Sequence, residues 1–198
     1  MNKYFYRSIF IVGLIFSAIL LAGCATMGGG GGPQPTQSQL NNQQWSLAGR
    51  MAMKTGDKGE NASLYWLQQG DQYHLRLFGP LGVGAVQLQG TPGNVTLTES
   101  NGQVYQATSA EALLQQTVGW QMPVSNLTYW IRGLSAPGYP AQRTYDAARR
   151  LQQLQQQGWL INYLSYMTDQ TDALPRLIEL SRGNINLRIV IDHWQTFN

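Results

Sequence analysis

Apolar and polar residues alternate along much of the chain after residue 44, and this pattern predicts β-strands. The first such segment is WSLAGRMAMK, in which Trp45, Leu47, Met51 and Met53 share one face. Further strands are predicted in ASLYWLQQ, YHLRLF, AVQLQG, NVTLTES and QVYQA, with turn sequences such as TGDKGEN and GDQ between them. Because no helix-length spacer separates these strands, we expect them to pair in the antiparallel sense.

The pattern becomes helical after residue 107. The sequence TSAE at residues 108–111 forms a capping box in front of ALLQQTVG, which predicts a first short helix. The sequence PVSNLTYWIR at residues 123–132 predicts a second helix that ends at Gly133. Its apolar stripe consists of Leu127, Trp130, Ile131 and Leu134. Such a stripe is either ordinary core or the inner surface of a lid over a curved sheet, and the pattern leaves both open.

The last third of the chain contains one ambiguous segment. Residues 146–157, DAARRLQQLQQQ, have helical propensity, with Leu151 and Leu154 spaced as on one helix face, yet the strand-like sequence GWLINYLSYM follows directly. The end of the chain, from LPRLIEL to LRIVIDHW, predicts a hairpin that turns at residues 182–184. The complete pattern predicts about nine or more short strands and two helices.

The N-terminal segment has a different character. Lys3 and Arg7 precede an apolar run that ends in LAG before Cys24. A charged region, a short apolar region and small residues, in this order, indicate a secretory signal peptide at residues 1–23. A transmembrane anchor is the alternative, but Ile9 to Gly23 offers only 15 residues, whereas about 20 are needed to span a bilayer.

Cys24 is the only cysteine of the chain, so it can form neither an internal disulfide nor a zinc cluster. The sequence LAGC resembles the bacterial lipobox, in which the cysteine receives lipid and becomes the first residue of the mature protein. Because Ala25 rather than an aspartate follows, the resemblance points to the outer membrane. Residues 24–44, with five consecutive glycines and no charge, predict a flexible tether, and residues 45–198 predict one folded domain.

Charged and titratable residues offer little chemistry. Removal of Lys3 and Arg7 from the 13 basic residues leaves 11 against 10 acidic ones, which is no electrostatic footprint for nucleic acid. The two histidines, His74 and His193, stand in predicted strands without neighbouring metal ligands. The sequence has no Gly-x-Ser-x-Gly motif, no convincing carboxylate pair and no lysine after GPLGVG. A hydrolase and a phosphate-binding loop are therefore disfavoured.

The chain is instead rich in apolar material. All 6 tryptophans lie after residue 44, and no charged residue occurs from Leu77 to Thr98. Within that stretch the turn sequence GPLGVG carries Leu81 and Val83, although a turn requires only its glycines and proline. A curved sheet that does not close, covered by helices, can hold an apolar cavity, and large apolar ligands are what such cavities bind.

Five sequences behind the lipobox resemble the outer-membrane lipoprotein receptors of the LolB family: WSLAGRMAMK, LRLFGPLGVGAVQLQG, PVSNLTYWIRGL, GWLINYLSY and LPRLIELSRGNINLRIVIDHW. The resemblance covers essentially all of residues 45–198. It implies a mostly β fold, an incomplete antiparallel barrel that encloses a hydrophobic cavity under short helices, and it favours strand over helix for residues 146–157. It also implies a receptor rather than an enzyme, one that takes lipoproteins from the periplasmic carrier LolA and inserts them into the inner leaflet of the outer membrane without an energy source.

With this resemblance, particular residues acquire expected roles. Cys24 is expected to carry a diacylglycerol and an N-acyl lipid, with no other cofactor and no metal. A membrane-insertion loop is expected at Pro80, Leu81, Gly82 and Val83, unless Leu81 merely packs on a neighbouring loop. The cavity and lid are expected to use Trp66, Leu75, Leu77, Leu127, Trp130 and Ile131, for which a plain core role is an equal alternative.

The expected partners are a LolA-type carrier, acylated lipoproteins as cargo and outer-membrane lipid, but no nucleic acid. The protein is expected to be a monomer, anchored by lipid on the periplasmic side of the outer membrane. The alternative function is a structural or assembly lipoprotein that docks a protein partner through the exposed apolar loop.

Overall fold

The computed structural model describes residues 44–79, 84–170 and 173–197. The predicted signal peptide, Cys24, the tether up to residue 43, and the loop residues Pro80, Leu81, Gly82 and Val83 all lie outside these ranges. The described part of the chain falls within one compact unit.

The elements follow one another in the order strands, two helices, strands. The first six strands are β1 (Gln44–Thr55), β2 (Lys58–Gln69), β3 (Gln72–Phe78), β4 (Val86–Thr91), β5 (Asn94–Glu99) and β6 (Val104–Ala107). The helices, which together we call the lid, are α1 (Ala110–Thr117) and α2 (Val124–Trp130). The remaining strands are β7 (Ala141–Tyr145), β8 (Leu151–Gln156), β9 (Trp159–Tyr166), β10 (Pro175–Arg182) and β11 (Ile185–Phe197).

The described strands form a single 11-stranded antiparallel sheet. Its order is β6-β5-β4-β3-β2-β1-β11-β10-β9-β8-β7, so neighbours in the sheet are neighbours in sequence except where β1 meets β11. The edge strands β6 and β7 share no ladder within the described residues, and the sheet is therefore unclosed. The predicted fold class, a mostly β unclosed antiparallel structure with two short helices, is confirmed.

One face of the sheet is mostly apolar and carries a few buried polar side chains, among them Gln68 of β2 and Gln156 of β8. Trp66 of β2 lies opposite Leu75 of β3, and Leu75 lies opposite Leu88 of β4, and each of the three is 0% exposed. The same alternation continues through β9, β10 and β11 and joins all these strands in one core cluster with the lid. A continuous buried face of this kind follows from the period-two pattern of the sequence.

The lid joins the two edges of the sheet in sequence, because α1 follows β6 and α2 precedes β7. Helix α1 packs against β5 and β6, and the indole of Trp130 in α2 lies 6.2 Å from that of Trp159 in β9. The lid therefore covers the apolar face from both ends of the sheet. No helix in the described part of the chain has the length and apolar character needed to cross a membrane.

The ambiguous segment at residues 146–157 is not a helix. Residues 151–156 form β8, as the family resemblance favours, and residues 146–150 form the turn before it. The ladder between β7 and β8 shifts register, since Tyr145 lies opposite Leu151 while Thr144 lies opposite Gln153. This bulge lets both Leu151 and Leu154 face the core, which explains a three-residue spacing in a strand.

Candidate functional site

The lid and the sheet together bring the six predicted cavity residues into one place. Trp66 of β2 and Leu75 of β3 are paired across the sheet, and Leu77 follows on the same face of β3. The other three belong to α2 and its C-cap. All six are buried in the core cluster, each at 0% or 1% exposure: Trp66, Leu75, Leu77, Leu127, Trp130 and Ile131. All six thus belong to the core that the lid and the sheet share, a placement that fits a plain core role as well as the predicted cavity role.

Polar contacts hold α2 against the sheet, and the central one uses Gln156. The indole Nε1 of Trp130 donates to Gln156 Oε1 at 2.8 Å, and the backbone N–H of Ala136 donates to the same oxygen at 2.8 Å. The Gln156 amide in turn donates to the carbonyl oxygens of Ala136 at 2.8 Å and Tyr139 at 3.1 Å. One buried side chain on β8 thus fixes both α2 and the segment that follows it.

Tyr163 of β9 provides a second anchor. Its hydroxyl donates to the backbone carbonyl of Trp130 at 2.8 Å, at the C-terminal end of α2 where helix carbonyls lack partners within the helix. Burial raises the pKa of Tyr163 well above its ordinary value, with a further contribution from Tyr166. The hydroxyl therefore stays protonated and able to donate.

Neither anchor was predicted from the sequence. Gln156 stands in the run LQQLQQQ, where nothing in the local pattern separates it from Gln155 or Gln157. Tyr163 fits the apolar face of its strand and could be expected to be core. Each residue becomes recognisable only when the fold brings it to α2.

The two helices of the lid are joined by Glu111. The capping-box prediction is wrong in detail, because the N-cap of α1 is Ser109, whose hydroxyl accepts from Ala112 N at 3.2 Å. Glu111 does not bond back to α1; its carboxylate accepts from the backbone N–H of Ser125 at 2.7 Å, in the first turn of α2. The N-cap of α2 is Pro123, which supplies no side-chain cap. The Glu111 carboxylate of α1 instead accepts a hydrogen bond from a backbone N–H in the first turn of α2.

A cleft of about 380 Å³ opens beside the lid, and we call it the lid cleft. It runs between α2 and the sheet, and its wall includes Gln68, Tyr73, Val95, Arg132 and Tyr139. Desolvation, assisted by the nearby charge of Glu111, raises the pKa of Tyr73 to about 12. Val95 also belongs to the core cluster, so the cleft is continuous with the apolar contact between lid and sheet.

Arg132 is the buried cation of the lid cleft, with 9% exposure. Its Nε donates to the carbonyl of Thr128 at 3.0 Å, and its guanidinium lies 5.5 Å from the Trp45 ring centroid and 5.8 Å from that of Tyr129. Burial lowers the pKa of Arg132, an effect that Tyr129 partly offsets. Aromatic faces on this scale stabilise a partly desolvated cation.

The opposite, outer face of the sheet carries a second depression. A groove of about 550 Å³ is lined by Arg50, Ala52, Val190 and others, and it extends to Phe78 and Gly79 at the end of β3. These last residues immediately precede the undescribed loop residues 80–83. The strands β3 and β4 on either side of these residues pair in the antiparallel sense, with Leu77 opposite Val86.

The described His, Asp and Glu side chains do not meet the requirements of a metal site. Within the described ranges no group of three or more His, Cys, Asp or Glu side chains is placed to hold a metal ion. His74 and His193 lie on separate strands, β3 and β11.

Comparison with known proteins decides the family. A family model described as "Outer membrane lipoprotein LolB" matches residues 43–194, nearly the whole described domain. The chain belongs to this family. The family consists of outer-membrane lipoproteins, and the protein is accordingly a lipoprotein of the outer membrane, as the lipobox and Ala25 predict.

Curated relatives agree with this assignment. An outer-membrane lipoprotein LolB of Pseudomonas putida strain F1 is 40% identical over 186 residues, covering 89% of this chain and 91% of the relative. That of Pseudomonas fluorescens strain Pf0-1 is 39% identical over 193 residues, covering 92% of this chain and 94% of the relative.

Solved structures show a related fold at low sequence identity. A LolA superfamily protein from Nitrosomonas europaea matches with a TM-score of 0.50 at 7% identity, covering 79% of this chain and 87% of that one. A putative outer-membrane lipoprotein-sorting protein domain from Vibrio parahaemolyticus matches with a TM-score of 0.50 at 10% identity, covering 77% of this chain and 85% of that one. These likenesses concern the fold alone.

Proposed function

We propose that the protein receives lipoproteins from a LolA-type periplasmic carrier and places them in the inner leaflet of the outer membrane. Their acyl chains enter between the lid and the apolar face of the sheet, where Trp66, Leu75 and Leu127 lie. The observation that carries this proposal is the structure of that region. A mostly apolar face of the sheet is covered by two short helices, and α2 is held there by hydrogen bonds with Gln156 and Tyr163.

The energetics of acyl chains suit this arrangement. Each buried methylene contributes roughly 0.8 kcal/mol, so a chain that leaves water for an apolar interior is strongly stabilised. The proposed transfer uses no energy source and no catalytic step. It runs from a carrier that binds the chains more weakly to a receptor that binds them more strongly, and then to the bilayer.

The anchor and the tether complete the proposal at the N-terminus. Signal peptide removal before Cys24 and lipidation of that residue would leave residues 24–44 between membrane and domain. A flexible segment of about 20 residues has a typical span on the order of 25 Å. The domain, as a monomer on the periplasmic side, can therefore meet a soluble carrier and also reach the membrane surface.

The loop at residues 80–83 is proposed to act in the last step. Leu81 and Val83 belong to a stretch of sequence without charge that connects β3 to β4. An apolar loop of this kind can enter the lipid interface and give acyl chains a path from the domain into the bilayer. Acceptance and delivery would then depend on different residues.

A displacement assay tests the acceptance step. The domain of residues 45–198, expressed without its signal and tether, is loaded with an apolar fluorescent probe and mixed with an acylated lipoprotein bound to the carrier. We expect the probe to be released as the lipoprotein moves to the domain, and the same lipoprotein without acyl chains serves as the control. Failure to bind the probe and to accept cargo would contradict the proposal and favour a docking lipoprotein.

A further inference from the structure

Two neighbouring side chains of the interior keep hydrogen-bond donors without acceptors. Arg132 uses its Nε on the carbonyl of Thr128, but its buried Nη1 has no acceptor within the described residues. The buried Nε1 of Trp45 likewise has none in that part of the chain. The guanidinium lies 5.5 Å from the Trp45 ring centroid, so the two side chains are neighbours, although only Arg132 belongs to the wall of the lid cleft.

Unpaired donors in such a place need an explanation. Buried polar groups in folded proteins are almost always paired, and a charged donor that loses water without gaining an acceptor destabilises the structure. Two other buried indoles follow this rule, since Trp66 Nε1 donates to Gln68 at 3.0 Å and Trp130 Nε1 donates to Gln156 at 2.8 Å. Arg132 and Trp45 depart from it together.

The position of Arg132 suggests what the acceptor is. It lines the lid cleft, and Val95 and Val124 line the same cleft while also belonging to the core cluster. An acyl chain between lid and sheet therefore has a route by which its polar head reaches the cleft. The head of an acylated protein carries ester and amide carbonyls, whose oxygens accept hydrogen bonds and donate none.

We propose that the lid cleft is a polar-head site, in which Arg132 Nη1 and Trp45 Nε1 donate to the carbonyl or carboxylate oxygens at the head of a bound acyl chain. The inference rests on the proposed function and adds a polar subsite to the apolar one. Both atoms are covered in the present arrangement, so α2 must shift slightly before a head group reaches them. Burial also holds down the hydration of the guanidinium, which strengthens a hydrogen bond to any acceptor that arrives.

The chemistry has two possible sources, and three probes separate them. Hexadecane has no head group, palmitate has a carboxylate, and a synthetic tri-palmitoylated cysteinyl peptide has ester and amide carbonyls. Each displaces an apolar fluorescent dye from the wild-type domain and from Arg132→Met and Trp45→Phe variants. Arg188→Met is the matched control, because Arg188 lies on the outer face, paired with Glu179 at 2.9 Å.

We expect Arg132→Met to lower the affinity for the peptide by about tenfold or more, because a hydrogen bond from a charged donor is lost. The affinity for hexadecane should be unchanged. Trp45→Phe should weaken the peptide less, and Arg188→Met should change nothing. The melting temperature of Arg132→Met should fall somewhat, because the variant also loses the hydrogen bond to Thr128 and the contacts with Trp45 and Tyr129, while unchanged binding of hexadecane shows that the apolar part of the domain is intact. If the affinity for palmitate falls in parallel with that for the peptide, the site binds any head-group oxygen. If only the affinity for the peptide falls, the site is specific for ester and amide carbonyls.

The contrary outcomes are distinct. Equal losses for hexadecane and peptide would make Arg132 a packing residue and overturn the polar-head site. So would a peptide affinity that no variant changes. A wild-type domain that binds hexadecane but never the peptide would instead contradict the proposed function itself.

Discussion

A hydrogen bond between Trp130 and Gln156 holds α2 of the lid against β8, with Nε1 of the indole 2.8 Å from Oε1 of the amide. Both side chains are almost fully buried, and the Gln156 amide satisfies the backbone of Ala136 as well. The partners of the Gln156 side chain all come from α2 and the segment that follows it. This buried polar contact therefore favours one position of α2 on the sheet.

Replacement of this glutamine should loosen the lid. Gln156→Leu leaves the Trp130 indole and the Ala136 backbone without partners, at roughly 1 to 3 kcal/mol for each buried group. We expect the free energy of unfolding, measured by urea titration, to fall by at least about 2 kcal/mol. Gln155→Leu, at an exposed position of the same strand, is the control and should change it little. If the two variants have the same free energy of unfolding, Gln156 does not hold α2 in place.

Tyr163→Phe should act on the lid with less damage to the fold. It removes the hydroxyl that donates to the Trp130 carbonyl and should lower the free energy of unfolding by about 1 to 2 kcal/mol. Because the lost bond ties α2 to β9, an apolar dye should also enter the domain faster in stopped-flow mixing. Tyr65→Phe, at a half-buried tyrosine on the outer face of β2, provides the comparison. Unchanged entry kinetics would show that this bond does not limit opening.

Alkaline pH should destabilise the domain through Tyr73. Its pKa is raised to about 12 from the ordinary value of 10.0, chiefly by desolvation. Between these two pH values the unfolded chain has released a proton that the folded one retains, so stability is complete below pH 10 and declines as the pH rises toward 12. Urea unfolding at a series of pH values should show a shallower decline in Tyr73→Phe than in the wild type. If stability declines with pH equally in both proteins, Tyr73 is not the cause of the decline.

Leu81→Glu should separate delivery from acceptance. A carboxylate at the loop resists entry into the lipid interface, whereas the core cluster that would accept acyl chains is untouched. We expect normal melting and normal uptake of acylated lipoprotein, but strongly reduced transfer to liposomes. Gln72→Glu, at the exposed opposite end of β3, is the matched control. Normal transfer by Leu81→Glu would leave Leu81 as a turn residue.

Gly49 should tolerate no side chain. An added Cβ would lie 2.2 Å from the carbonyl oxygen of Val190, at the bulge where β1 pairs with β11. Gly49→Ala should therefore lower the free energy of unfolding by about 1 to 3 kcal/mol. Gly59→Ala is the control, since an added Cβ there meets nothing within 4 Å. Similar melting of both variants would contradict this explanation of the glycine.

Much of the fold follows from the sequence because its signals are local. The alternation of Leu75 and Leu77 with His74 and Arg76 specifies a strand and its buried face without help from the rest of the chain. The spacing of Leu151 and Leu154 misleads for the same reason, since a bulge that depends on pairing with β7 changes the period. Local pattern cannot contain information about a partner strand.

The burial of the apolar residues was predictable, but their use was not. The six predicted cavity and lid residues could be chosen because their faces are visible in the sequence, and all six lie in the core cluster, where a plain core role would also place them. The polar residues that shape the site are isolated side chains whose partners lie far away: Gln156 is 26 positions from Trp130, and Tyr163 is 33 from it. Glu111 was placed in a local box, but its acceptor oxygen serves the next helix.

The pairing of β1 with β11 has a consequence for the order of folding. The strands β1 to β6 and β7 to β11 form two meanders of sequential hairpins, which need only short-range loop closure. Arg50 of β1 and Asp192 of β11, 142 positions apart, mark the seam between the two meanders. Since loop closure costs more entropy as the intervening chain lengthens, the seam should form after the hairpins and set the pace at which the single sheet is completed.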